Sequence, residues 1–168
     1  WGSNVVRFPV HPRAWRERGE ESYLKLLDQG IELAKKYNLY VIIDWHSIGN
    51  LRQRMFQHEM YETTLEETYD FWRKIAFRYR DEPIVAFYEL YNEPTVTGDR
   101  FGDMTWEQWK VILENITQVI RAYDDQTIVL VSGFNWAYDL TPIKEDPLEL
   151  PNLAYVSHPY PQKREQPW

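Results

Sequence analysis

Phe87-Tyr88-Glu89-Leu90-Tyr91-Asn92-Glu93-Pro94 is an apolar, extended run that stops at an amide, a carboxylate and a proline. Proline lacks a backbone N–H and confines the residue before it to extended geometry, so the strand is expected to end here with Glu93 at its carboxyl end. In parallel α/β architectures that is the end where chemistry is carried out. Glu89, four residues earlier, falls on the same side by alternation but deeper. It is expected to be a buried, hydrogen-bonded carboxylate supporting Arg7 or a histidine, and not a second catalytic group.

Outward from this run, the same kind of segment recurs. Extended apolar stretches occupy Asn4 to Val10, Leu39 to Trp45, Ile84 to Tyr91, Thr127 to Ser132 and Leu153 to Ser157, with helical signals between them. Strand, crossover helix, strand is the implied unit. Leu24, Leu27, Ile31 and Ala34 mark the buried face of one helix, and Lys35 and Lys36 suit its carboxyl end. Thr64-Leu65-Glu66-Glu67 and Thr105-Trp106-Glu107-Gln108 have capping-box spacing and open two more. The second of these presents Trp109, Ile112, Leu113, Ile116, Val119, Ile120 and Tyr123 as one broad stripe. Strands as apolar as Tyr40-Val41-Ile42-Ile43 suggest burial on both faces, as in a parallel sheet. No glycine-rich phosphate loop follows any strand, which weakens a doubly wound nucleotide-binding sheet. The fold expected is an α/β (β/α)8 TIM barrel, of which this chain carries about five of eight strands.

Composition bounds the function. At 168 residues the chain builds one core. The aromatic content is 16%, with 8 Trp and 12 Tyr. Many of these rings belong in a core, yet such numbers also suit a groove that holds a flat, polar ligand such as a sugar. A net charge of −7 with scattered Lys and Arg argues against nucleic acid and anionic membranes. Without cysteine there is no disulfide framework and no thiolate metal site, and no apolar run is long enough to cross a bilayer. No stretch of the 168 residues reads as a signal peptide, and the chain begins at Trp1 without a methionine, so compartment is not read from this.

Every strand delivers polar or aromatic groups where it finishes: Arg7, then Asp44-Trp45-His46, then Asn92-Glu93, then Asn135-Trp136, then His158-Pro159-Tyr160. Each has an ordinary structural explanation alone, since an arginine can be an ion-pair partner, a histidine a satisfied core residue and a tryptophan core. Their coincidence at successive strand ends is the signal. Asn4-Val5-Val6-Arg7-Phe8-Pro9, Val41-Ile42-Ile43-Asp44-Trp45-His46, Leu90-Tyr91-Asn92-Glu93-Pro94 and His158-Pro159-Tyr160 resemble the successive strand motifs of family 5 glycoside hydrolases. That is the cellulase and mannanase family of retaining (β/α)8 barrels. The resemblance runs from what would be the second strand to the sixth.

The resemblance implies Glu93 as acid/base, Arg7 as support for the nucleophile and His46 as a substrate contact. It further implies Asn92 as donor to the sugar 2-hydroxyl, with His158 and Tyr160 lining the reacting subsite. Trp136 joins them as a substrate-binding candidate. Retention needs a protonated carboxyl and a second carboxylate ~5 Å away that attacks the anomeric carbon. Desolvation in an aromatic pocket favours the protonated state of the first. The family nucleophile ends the seventh strand, which this chain does not contain, and Glu165, in a polar run, is not expected to replace it.

The function expected is retaining hydrolysis of a β-1,4-linked glucan by an endoglucanase, with no cofactor or metal, from a single catalytic domain over residues 1–168 that is incomplete at both ends. A mannan- or xylan-directed enzyme and an inactive glycan-binding fragment are the alternatives. A metal-dependent hydrolase using His46, Glu93 and His158 is disfavoured because no His-x-His or His-x-x-x-His pair supports it. The partners expected are a β-linked polysaccharide or oligosaccharide and a second copy or further strands covering the open sheet edges. The family resemblance implies a secreted or periplasmic home.

Overall fold

The computed structural model describes residues 2–96 and 98–160. Glu165 lies outside them. In chain order the elements are β1 (Val5–Val10), α1 (Pro12–Arg18), α2 (Glu20–Lys36), β2 (Tyr40–Trp45), β3 (Ile48–Asn50), β4 (Met55–Phe56), α3 (Leu65–Tyr79), β5 (Val85–Glu89), β6 (Glu93–Pro94), α4 (Trp106–Arg121), β7 (Ile128–Ser132) and β8 (Leu153–Val156). Five strands form one parallel sheet in the order β1-β2-β5-β7-β8; α1 to α4 make the first three crossovers, and the β7–β8 connection holds a left-handed turn and the five-residue helix Thr141–Glu145. The five strands expected from the sequence are therefore present and neighbours in sequence order, as an arc of a barrel requires.

Helices cover one face of this arc. Val41, Ile43 and Trp45 from β2, Tyr88 from β5 and Val129 and Val131 from β7 pack against Ile31 of α2, Trp72 and Ile75 of α3 and Trp109, Leu113 and Ile116 of α4. Burying each such side chain stabilises the fold by roughly 1.5–3 kcal/mol. The other face is only partly covered, with Val5 40% and Tyr40 54% exposed, so burial on both faces does not hold within the described residues. On β2 the alternation is accordingly exposed, buried, intermediate, buried.

Local signals account for the helix ends. Thr105 and Gln108 form the reciprocal capping box, whereas Thr64 accepts from the Glu67 N–H without the return bond. The helical segment before β2 is in fact two helices, because Gly19 with φ 79° separates α1 from α2. On α4 the apolar stripe is narrower than its composition suggests. Trp106 and Thr117 are buried, while Val119 is half-buried and Tyr123 is 41% exposed.

The main strand is shorter than the quoted run. β5 ends at Glu89, and Glu93-Pro94 belongs to a second, three-stranded sheet in the order β4-β3-β6. After Glu89 the chain climbs along its neighbours: Leu90 N–H bonds Leu130 O, then the Asn92, Glu93 and Thr95 N–H groups bond the carbonyls of Trp45, Ser47 and Gly49. Pro94 sits where no N–H is required of it, so the proline is compatible with a strand here.

Candidate active site

Glu93 is placed by backbone on one side and indoles on the other. Its β6 pairs with β3 in the register Ile48↔Glu93 and Gly49↔Pro94. On its other side β3 pairs with β4, and there Gly49 is required, since a Cβ would lie 2.6 Å from the Met55 carbonyl oxygen. Behind it, buried Trp72 donates from Nε1 to Leu90 O at 3.1 Å, and buried Trp109 donates to Ser132 O at 3.1 Å. Tyr91, fully enclosed, accepts from Ser47 Oγ and donates to Gly49 O. Five of the tryptophans, at positions 15, 45, 72, 106 and 109, lie in the core, so the aromatic excess mostly supports the site from behind. Trp136 is the described tryptophan that lines the cleft.

All seven residues singled out in the sequence, Arg7, His46, Asn92, Glu93, Trp136, His158 and Tyr160, line one cleft of about 1020 Å³ at the carboxyl ends of the parallel strands. Arg7 is the hub. Its guanidinium forks onto Glu89 at 2.6 and 2.7 Å, reaches Asn92 Oδ1 at 2.7 Å and ion-pairs with Asp44 Oδ2 at 3.0 Å. Burial pulls the Arg7 pKa down, but the bond to Glu89 and the charges of Asp44, Glu89 and Glu93 outweigh it and the net shift is upward. Glu89 is the expected support for both groups, not one: it also meets His158 Nε2 at 3.2 Å. Burial favours its neutral form, yet His158 and Arg7 hold the carboxyl below its ordinary range.

His158 bridges two carboxylates, with Nδ1 3.0 Å from Glu93 Oε1 and Nε2 facing Glu89. Burial works against its charge, but the two bonds raise its pKa to about 9. Glu93 itself is 8% exposed, and its Oε2 has no hydrogen-bond partner among the described residues. Beside it, Asn92 gives its oxygen to Arg7, and its buried Nδ2 has no partner among the described residues. His46 is held by Asp44, whose Oδ2 lies 2.6 Å from Nδ1. Tyr160, 45% exposed, stands at the rim.

The opposite wall was not foreseen residue by residue. Gln57 and Tyr61 line the cleft from the Met55–Glu62 loop, and Gln57 Oε1 accepts from Trp136 Nε1 at 2.7 Å. Trp136 belongs to a left-handed turn, with Asn135, Trp136 and Ala137 at φ 57°, 59° and 58°. Three consecutive non-glycine residues in this region are strained, and strain of this kind clusters at binding sites. Nothing local in the sequence signals the turn, because it is closed by reciprocal backbone bonds between Phe134 and Asp139. Among the described residues no cluster of three or more His, Asp or Glu side chains is arranged to hold a metal ion.

The geometry has close parallels. β-Glucanase SdGluc5_26A from Saccharophagus degradans, solved with cellotetraose, superposes with a TM-score of 0.95 at 49% identity, covering 99% of this chain and 49% of that one. Thermotoga maritima Cel5A, solved with cellobiose, superposes at 0.71 with 26% identity, over 96% of this chain and 51% of its own. Endoglucanase A of Butyrivibrio fibrisolvens is 28% identical over 166 residues, 95% of this chain and 35% of the relative. The chain thus spans about half of the solved structures and about a third of that curated relative. The arc of parallel strands is part of a (β/α)8 barrel. Since residues 1–168 match the family model Cellulase (glycosyl hydrolase family 5) throughout, the chain belongs to the cellulases of glycosyl hydrolase family 5.

Proposed function

We propose that the chain is the acid/base-bearing part of a retaining endo-β-1,4-glucanase, a single catalytic domain acting on cellulose-like chains. The observation that carries this is Glu93 lining the cleft with one oxygen on His158 and the other without a partner among the described residues, next to an Asn92 amide donor that also has none among them. The free Oε2 would give its proton to the leaving glycosidic oxygen and then take one from the attacking water. The His158 imidazolium stabilises the carboxylate that Glu93 becomes once its proton has gone. Asn92 Nδ2 would donate to the 2-hydroxyl, a bond that tightens as positive charge builds on the sugar ring. Trp136 supplies an apolar platform, and Arg7 holds Asn92 and Glu89 in register.

The second carboxylate has to come from outside the described residues. Glu89 does not serve, because Arg7 and His158 occupy its oxygens. The free sides of β1 and β8 would then be paired by further strands that bring that nucleophile. A polymeric glucan does not enter a cell, which supports a secreted or periplasmic enzyme. Reducing-sugar release from carboxymethylcellulose is expected to fall about 10²–10⁴-fold in Glu93→Gln while cellotetraose still binds. Equal rates in wild type and variant would sink the assignment, and binding with both proteins silent would favour a glycan-binding role. Comparing glucan, mannan and xylan in the same assay decides the substrate.

A further inference from the structure

Asp44 does not itself line the cleft, yet two cleft residues hang on one of its oxygens. It is the penultimate residue of β2 and fully buried, with Oδ2 shared between His46 Nδ1 at 2.6 Å and Arg7 Nη2 at 3.0 Å. Its Oδ1 is buried with no partner among the described residues. Such a group is costly: burial favours the neutral acid and, against the bond to His46 and the charge of Arg7, lifts the pKa to about 6. A neutral side chain would fill this volume without that cost, so the carboxylate calls for a reason beyond packing.

The reason lies in what a carboxylate can do to an imidazole. An ionised carboxylate only accepts hydrogen bonds, so His46 Nδ1 must carry a proton, and in the neutral ring Nε2 then presents a lone pair. The ring is kept in place by His11, edge-on at 4.5 Å between centroids, and by Tyr61 at 6.0 Å. His46 lines the cleft, and no described residue bonds its Nε2. We infer that Asp44 is a positioning residue that makes His46 a hydrogen-bond acceptor toward the substrate, so that His46 recognises a sugar hydroxyl by taking its hydrogen bond. The inference rests on the glucanase reading of the cleft for the identity of the donor, and on Asp44 and His46 alone for the direction of the bond.

Side-chain ¹⁵N–¹H correlation spectra at pH 7.5 without ligand test it, with the His46 signal identified by its loss in His46→Gln. The expected state is neutral imidazole protonated at Nδ1. In Asp44→Ala the Nε2–H form should appear, and kcat/KM on cellotetraose should fall about tenfold or more. Asp44→Asn should keep the Nδ1–H form and most of the activity, because Arg7 fixes the amide oxygen where Oδ2 stood. A merely structural role would not move the tautomer. An Nε2–H or doubly protonated His46 in wild type overturns the inference, even if the alanine variant fails to fold. So does an alanine variant that keeps both the Nδ1–H form and full activity. A wild type with the expected tautomer but no cleavage of cellotetraose overturns the glucanase reading instead.

Discussion

His158 is the residue whose charge state most directly couples the site to pH. Its ordinary value of about 6.5 applies in the unfolded chain, and its folded value is about 9, raised by Glu89 and Glu93 against the effect of burial. A raised folded-state pKa contributes stability that is fully present below about pH 6.5 and is lost as the pH climbs through about 9. The difference in thermal midpoint between wild type and His158→Gln should therefore narrow as pH rises across that window. A gap that stays constant from pH 6 to pH 10 would show that the imidazole is not held as a cation between the two carboxylates. At this scale the sequence was informative: Arg7, His46, Asn92, Glu93, Trp136, His158 and Tyr160 all reach one cleft. Chemistry concentrated at strand ends is visible in residue types alone. Gln57 and Tyr61 escaped because a loop residue's direction depends on contacts far away in the chain, here the bond from Trp136, 79 positions on.

Among the elements, the small β4-β3-β6 sheet matters out of proportion to its length. It has strands of 2, 3 and 2 residues, too short for any periodic pattern to show, and it carries Glu93. That is why the end of the quoted run was legible as a stop but not as a change of sheet. The proline set extended geometry at Glu93, and the pairing with Ile48 and Gly49 that uses this geometry is non-local. Gly49→Ala tests the element. The added Cβ would meet Met55 O and the Phe56 Cα within 2.8 Å, in backbone that cannot swing aside. Displacing β3 by even about 1 Å should cost on the order of 10²-fold in kcat by moving Glu93. Far-ultraviolet circular dichroism should be nearly unchanged, since the main parallel sheet does not pass through Gly49. Wild-type kcat in that variant would mean that β3 does not set the position of Glu93.

For the molecule as a whole, the five-stranded arc leaves one face only partly covered and two strand edges unpaired among the described residues. Periodicity predicted the strands and their order, but suggested burial on both faces because Tyr40-Val41-Ile42-Ile43 is apolar throughout. What covers the concave side of an arc is not encoded in the arc's own alternation. The 168-residue chain purified alone is expected to bind a hydrophobic dye and to elute above its 20.4 kDa mass. A monodisperse 20.4 kDa species that binds no dye would count against open edges. The placement of the indoles carries a spectroscopic consequence. Of the six described tryptophans, five are sealed in the core and Trp136 alone faces the cleft. Intrinsic emission from these six rings is weighted toward the state of the core, so it follows unfolding readily, while an occupied cleft changes the surroundings of one emitter in six.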